Sequence, residues 1–130
     1  MAIQPQTPGI HHVGLRCKDF SVTKNFYQNV VGLPLVLDSP ELIAFVAGQV
    51  IIAFKKAETN GNPDAVFTPF NIGLDHLALT CESEEELHRF AKGLADAGVE
   101  NTGVKKDETL QKMYVAFKDP DRIQWEFYMK

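Results

Sequence analysis

The chain has 130 residues, of which 45% are hydrophobic and 23% are charged. This is the size and composition of one ordinary globular domain, which excludes collagen-like, coiled-coil and disordered classes. The net charge of −4 provides no general attraction for nucleic acid or an anionic membrane, so we expect neither as a partner. The N-terminus lacks the basic start and long apolar core of a signal peptide, which predicts a cytoplasmic protein.

The first predicted elements are a strand, a helix and three further strands. The strand starts at His12, and the helix over residues 21–31 places apolar side chains at helical spacing and ends before Gly32. Further strands are predicted at residues 35–37, 42–47 and 49–55. Residues 57–71 are rich in Gly, Asn, Pro and Thr, which indicates a loop long enough for a linker or lid.

The second half repeats this order of elements. A strand after Gly73 leads into a helix whose start is marked by Ser83 and Glu86, spaced as in a capping box. Two more strands are predicted at residues 112–118 and 123–129, joined by the turn DPDR. Residues 101–110 are predicted to form a loop.

The two halves also match as sequences. GIHHVGLRCKDFSVTKNFY from Gly9 and GLDHLALTCESEEELHRFA from Gly73 superpose without a gap at an offset of 64 residues. His12 matches His76, and Cys17 matches Cys81. An internal repeat of this kind predicts that one supersecondary unit occurs twice in the fold.

Alternation along three strands separates an apolar face from a polar one. The polar faces carry His12, Gly14 and Arg16 in the first strand, His76, Ala78 and Thr80 in its copy, and Gln124, Glu126 and Tyr128 in the last. The apolar faces include both cysteines, which are expected to be buried as small hydrophobic residues. If the polar faces line one concavity, His12, His76 and Glu126 converge on a site typical of a divalent transition metal with open positions. A single His in a strand is usually a structural residue, and we expect this of His11. The occurrence of His12 and His76 at equivalent positions of the repeat instead favours a site.

These segments resemble the vicinal oxygen chelate superfamily, which contains glyoxalases, bleomycin-resistance proteins, fosfomycin-resistance proteins and extradiol dioxygenases. The resemblance is carried by HHVGLRCKDFSVTKNFYQNVVGLPL, GLDHLALTC and AFKDPDRIQWEFY. It implies an α+β fold with two βαβββ modules forming a cup-shaped mixed sheet within a single domain of residues 1–130. Module one would span about 9–56, the linker about 57–72 and module two about 73–130. The resemblance also implies a homodimer, and Arg122 stands where the family commonly has glycine.

By this resemblance the metal ligands are His12, His76 and Glu126, and a fourth family position is Ala53, which cannot bind metal. The implied cofactor is a divalent ion, Fe, Mn, Ni or Zn. Because Arg16, Thr80 and Tyr128 would project into the same cup, we further predict Glu126, Tyr128 and Arg16 as catalytic residues, and Arg16, Thr80 and Tyr128 as contacts to a small-molecule substrate. We expect a metal-dependent, glyoxalase-like or dioxygenase-like enzyme. The alternatives are a fosfomycin-type thiol transferase and a metal-free protein that sequesters a ligand.

Overall fold

The chain folds as two copies of one βαβββ module, and the computed structural model describes residues 1–130. The first copy contains β1 (His12–Cys17), α1 (Phe20–Lys24) with a π-helical continuation (Asn25–Val31), β2 (Leu35–Asp38), β3 (Ile43–Ala47) and β4 (Val50–Lys56). The second contains β5 (Leu77–Cys81), α2 (Glu84–Asp96), β6 (Lys105–Asp107), β7 (Lys112–Lys118) and β8 (Gln124–Met129). The segment between β4 and β5 contains no helix or strand, as predicted. No helix in the chain has the length and apolar character needed to cross a bilayer.

Each module forms a four-stranded mixed sheet, and the two sheets have the same strand order. The orders are β1-β4-β3-β2 and β5-β8-β7-β6. In each sheet the first pair is parallel and the other two are antiparallel. Gly14 of β1 lies opposite Ala53 of β4, and Ala78 of β5 lies opposite Glu126 of β8. The duplication predicted from sequence is therefore confirmed, and Ala53 occupies in module one the place that Glu126 occupies in module two.

Both helices begin at a side-chain cap. Asp19 Oδ1 accepts hydrogen bonds from the backbone N–H groups of Ser21 (2.8 Å) and Val22 (3.2 Å). Ser83 Oγ accepts one from Glu86 N–H at 3.1 Å, which confirms the predicted start of α2. The reciprocal half of the capping box is absent, because the Glu86 carboxylate pairs with Arg89 instead.

The helix of module one differs from its prediction in its hydrogen bonding. It is α-helical only over α1 and continues as a π-helix to Val31, where Gly32 ends it with a φ of 89°. Successive residues of an α-helix point about 100° apart, which makes it difficult to bury two neighbours fully. The wider π turn accompanies the burial of both Phe26 and Tyr27, which are 6% and 1% exposed.

The prediction of a loop over residues 101–110 is wrong in its middle, where Lys105–Asp107 forms the edge strand β6. This strand pairs only with β7, with Lys105 opposite Tyr114. A three-residue strand with two lysines shows no apolar alternation, and short charged strands are typical of sheet edges. The sequence signal for a strand is therefore missing here for a physical reason.

The two modules share one hydrophobic core. The Tyr27 ring lies 4.9 Å from the Phe54 ring in module one and 5.9 Å from the Trp125 ring in module two, between ring centroids. From α2, Leu87 and Leu94 are buried, at 0% and 2% exposure, and each stabilises the fold by roughly 2 kcal/mol. The polar strand faces lie outside this core, which leaves their side chains available to form a site.

Candidate functional site

His76 and Glu126 lie together on the polar face of the second sheet. His76 immediately precedes β5, and Glu126 lies on the neighbouring parallel strand β8. The Nε2 atom of His76 is 3.1 Å from Oε1 of Glu126. Their side chains are 40% and 20% exposed, so the pair is reachable from solvent. Alternation predicted that these two side chains share a face, and the structure brings them within contact distance.

The other nitrogen of the His76 ring contacts Asp75, a residue that sequence reasoning missed. Nδ1 of His76 is 2.6 Å from Oδ1 of Asp75. A neutral ring that donates its Nδ1 proton to Asp75 has its Nε2 lone pair directed at Glu126. A carboxylate on the outer nitrogen is the usual partner that fixes the orientation of a metal-binding imidazole. The sequence signal was an acid directly before a candidate ligand.

His12 lies on β1, at the edge of the first sheet. Its Nδ1 atom is 3.0 Å from Nδ1 of His11, and it lines a cleft of about 450 Å³ together with Arg16 and Ala53. Within one chain, no group of three or more His, Cys, Asp or Glu residues is arranged to hold a metal ion. The predicted meeting of His12 with His76 and Glu126 therefore does not occur inside a single chain and stays a prediction for an assembly of two.

The predicted substrate contacts are distributed over both sheets. Arg16 is exposed on β1 and donates one guanidinium N–H to the carbonyl of Lys56 at 2.9 Å, which leaves its other donors free. Thr80 is exposed on β5 and lies opposite Tyr128 in the strand register. Arg16 therefore accompanies His12, whereas Thr80 and Tyr128 accompany His76 and Glu126.

Tyr128 is engaged by a neighbour that the sequence did not indicate. Its hydroxyl donates to Oδ2 of Asp107 at 2.7 Å, and its ring stacks on Tyr114 at 5.8 Å between centroids. Desolvation and this carboxylate raise the pKa of Tyr128 to about 12. The same hydrogen bond lowers the pKa of Asp107. The phenol is thus held protonated and oriented by β6.

The two cysteines are buried, at 1% and 0% exposure for Cys17 and Cys81, as predicted. Burial raises the pKa of the Cys17 thiol. Since the thiolate is the reactive form of cysteine, the structure supplies no support for thiol chemistry at Cys17.

The donor set on the second sheet fits a divalent transition metal. Imidazole nitrogen and carboxylate oxygen suit Zn, Mn, Fe and Ni, and here these two atoms face each other at 3.1 Å. Asp75 on the outer nitrogen supplies the orienting contact that such ligands usually have. Two ligands alone leave most of the coordination sphere open.

Comparisons with known proteins place this chain in a family. A model described as the Glyoxalase/Bleomycin resistance protein/Dioxygenase superfamily matches residues 9–127. Among curated proteins, YwkD of Bacillus subtilis, itself described as uncharacterized, is 27% identical over 126 residues, which cover 92% of this chain and 94% of YwkD. The metallothiol transferase FosB of Staphylococcus saprophyticus is 24% identical over 119 residues, which cover 92% of this chain and 75% of FosB.

A solved structure shows the same fold. The crystal structure of a glyoxylase/bleomycin resistance protein/dioxygenase domain from Frankia sp. EAN1pec matches with a TM-score of 0.82 at 23% identity, covering 95% of this chain and 98% of that one. The resemblance to the vicinal oxygen chelate proteins and the predicted α+β fold are thereby confirmed. With its duplicated modules and a family match over nearly its whole length, the chain belongs to the Glyoxalase/Bleomycin resistance protein/Dioxygenase superfamily.

Proposed function

We propose that the protein is a divalent-metal enzyme that acts on a small substrate through the substrate's oxygen atoms, in a glyoxalase-like or dioxygenase-like reaction. The observation that carries this proposal is the contact between His76 Nε2 and Glu126 Oε1 at 3.1 Å, with Asp75 on the opposite ring nitrogen. A cation bound there would supply Lewis-acid polarisation of substrate oxygens.

The proposal requires a third ligand, for which we propose His12 of a second copy of the chain. Catalytic zinc sites usually have three protein ligands. His12 and His76 are equivalent by the duplication, yet His12 lacks a carboxylate neighbour because Ala53 stands in the place of Glu126. Module one therefore supplies an imidazole beside open space, and module two supplies an imidazole beside a carboxylate. These two arrangements are complementary if module one of one copy faces module two of another.

Exposed apolar side chains beside both histidines support such a dimer. Ile10 is 70% exposed two residues before His12, while Phe70 and Ile72 are 93% and 108% exposed shortly before His76. Single exposed apolar residues are ordinary, but a group of them around a site commonly marks an interaction surface. Contact between two copies would cover these side chains and bring the two polar faces together.

The chain's own residues have distinct proposed roles around the bound substrate. Arg16 has guanidinium N–H groups beyond the one bound to Lys56, and these would bind an anionic or carbonyl-bearing group. Thr80 presents an exposed hydroxyl on the face of His76. Tyr128, with a pKa of about 12, would not act as a base. Because its hydroxyl donates its one proton to Asp107, its oxygen would accept a hydrogen bond from the substrate.

Metal binding provides the first test. The full chain is stripped with a chelator and titrated with Mn²⁺, Ni²⁺ and Zn²⁺ by calorimetry, with elemental analysis of the loaded protein. We expect binding that is lost in His76→Ala and Glu126→Gln and retained in His88→Ala, which removes an exposed histidine of α2. Failure of the unaltered protein to bind any of these ions would reject the enzyme and favour the metal-free sequestering alternative.

A mixing experiment tests the shared site. His12→Ala and His76→Ala chains each lack a ligand, so neither alone should bind metal tightly. If each site takes His12 from one copy and His76 from the other, a mixed dimer contains one complete site. We expect refolded mixtures to regain metal binding, whereas a site built within one chain would give no recovery.

A thiol transferase is the second candidate, and the observation that favours it is the 24% identity to the metallothiol transferase FosB. The two chemistries differ in what they consume. Loss of free thiol in the presence of fosfomycin would support the transferase. Uptake of dioxygen with a catechol would support the dioxygenase-like reaction.

A further inference from the structure

A second cleft, of about 400 Å³, lies along the free edge of β1 and contains none of the proposed metal ligands. Its apolar lining comes from both modules and from the segment between them, and includes Leu15, Ala65, Phe67, Leu74 and Ile123. Its charged groups are Arg16, Lys18, Glu58 and Asp121. The volume and the mostly apolar wall with a few polar groups are typical of small-molecule sites.

The Asp121 carboxylate lies in the wall of this cleft and has one hydrogen-bond partner within the chain. Asp121 is 8% exposed, and its only side-chain hydrogen bond is the one that Oδ2 accepts from Lys18 N–H, at 3.3 Å. By contrast, Asp119 accepts from the backbone N–H groups of Asp121 and Ile123 and from the Tyr27 hydroxyl, all within 2.9 Å. Buried carboxylates are nearly always fully hydrogen-bonded or paired with a cation. The second oxygen of Asp121 makes no hydrogen bond within the chain, so it is available to a donor that enters the cleft.

The cations of the cleft do not satisfy that carboxylate. Lys18 Nζ donates to the carbonyl of Pro63 at 3.2 Å, and Arg16 donates to the carbonyl of Lys56. None of the four charged side chains takes part in an ion pair. The cleft thus holds two cations and two carboxylates that remain unpaired with one another, beside an apolar floor.

We propose that this cleft binds a small zwitterion with an apolar side chain, of the α-amino acid class. Its ammonium group donates to Asp121, its carboxylate accepts from Lys18 or Arg16, and its side chain packs on Phe67 and Ile123. A simple amine would meet the two cations without a counter-charge, and a simple carboxylate would leave Asp121 unsatisfied. The site contains none of the proposed metal ligands and does not require a bound metal, although Arg16 lines both this cleft and the cleft of His12.

The linker contributes one wall of this site. The backbone N–H of Phe67 donates to the carbonyl of Asp121 at 2.9 Å, which joins the linker to the DPDR turn. A ligand held by Asp121 on one side and by Ala65 and Phe67 on the other contacts both segments at once. Binding should therefore perturb the linker and the turn together.

The test uses the full chain, labelled with ¹⁵N and kept free of metal by a chelator, titrated with L-phenylalanine at millimolar concentrations. We expect shifts in the amide signals of Lys18, Asp121 and residues 57–67. Phenethylamine and 3-phenylpropionate, which each carry one of the two charges, should bind at least about tenfold more weakly, since a charged hydrogen bond is lost.

Three variants test the roles of the carboxylate and of the cleft. Asp121→Asn should weaken binding about tenfold or more. Asp64 is an exposed acid of the linker between the modules, and Asp64→Asn should leave binding unchanged. Ala65→Trp fills the cleft without altering Asp121 and should abolish binding. This variant keeps the test decisive if Asp121→Asn fails to fold. The proposal is overturned if phenylalanine causes no shifts in the amide signals, or if phenethylamine binds as tightly as phenylalanine. It is also overturned if the affinity for phenylalanine is unchanged in Ala65→Trp or in a folded Asp121→Asn protein. Because no metal is present, these results leave the proposed metal centre untouched.

Discussion

Removal of one hydroxyl, by Tyr27→Phe, should strongly destabilise the protein although it leaves the aromatic ring in place. The hydroxyl of Tyr27 lies at the junction of the two modules. It donates to Asp119 Oδ2 at 2.7 Å and accepts from the indole N–H of Trp125 at 2.8 Å. Tyr27 and Trp125 are 1% and 2% exposed, so water cannot replace the lost hydrogen bonds.

The expected loss of stability follows from the hydrogen-bonding groups that Tyr27→Phe leaves without a partner. A hydrogen bond to a charged group contributes about 1.5–3 kcal/mol, and a buried donor left without a partner costs about 1–3 kcal/mol. Asp119 keeps two backbone donors, from Asp121 and Ile123, so its carboxylate is not left wholly unsatisfied. We therefore expect the free energy of unfolding to fall by about 3 kcal/mol. The ring contacts with Phe54 should persist.

Urea unfolding followed by Trp125 fluorescence measures this loss. The midpoint should fall by about 2 M with little change in the slope. Tyr114→Phe is the matched control, because its ring stacks on Tyr128 while its hydroxyl makes no hydrogen bond within the chain; it should change stability by less than about 0.5 kcal/mol. A Tyr27→Phe protein within that same margin of the unaltered chain would refute the reasoning.

The loss should also depend on pH. Burial raises the pKa of Asp119 above that of an unfolded chain. The protonated carboxyl therefore favours the folded state, and this contribution is complete below the unfolded pKa and lost as pH rises through the raised folded value. Because a neutral carboxyl makes a weaker hydrogen bond than a carboxylate, the effect of Tyr27→Phe should be smaller at about pH 4 than at neutral pH.

Three further outcomes are expected. Arg122 has a φ of 67°, a conformation that glycine adopts without strain, so in urea unfolding Arg122→Gly should be more stable than Arg122→Ala by about 1 kcal/mol. Equal free energies of unfolding for the two variants would contradict backbone strain at this position. Asp75→Ala should weaken metal binding by about 10–100-fold in calorimetry by releasing the His76 ring, whereas affinity within threefold of the unaltered protein would exclude the orienting role. Asp107→Asn should lower the pKa of Tyr128 from about 12 in an alkaline NMR titration, and no change would show that desolvation alone sets it.

Most of the fold could be predicted from the sequence because its signals are local or repeated. The offset between the halves and the apolar alternation of β1, β5 and β8 depend on residues that are close in the chain. The strand β6 could not be predicted, since a short charged edge strand is defined by its partner and not by its own pattern. The π-helical turn follows from packing of Phe26 and Tyr27 across modules, which local helix signals do not carry.

The candidate site was predictable in part. Alternation predicted that His76 and Glu126 share a face, and the structure places their side chains in contact, whereas their role as ligands stays a prediction. The contact of Asp107 with Tyr128 depends on strand pairing and could not be anticipated from spacing. His12 does not form a three-ligand group with that pair within one chain, and alternation along a strand does not predict how distant strands are placed.

The matching register of the two sheets shows how the polar faces of the two modules differ. The two modules have equivalent positions in their sheets, and one carries an acid, Glu126, while the other carries only the methyl group of Ala53. Opposite Ala53 lies Gly14, so this wall presents almost no side-chain bulk. One half therefore presents a carboxylate on this face and the other presents open space, and enlarging Ala53 to leucine would narrow the cleft that Ala53 and His12 line while sparing the acid.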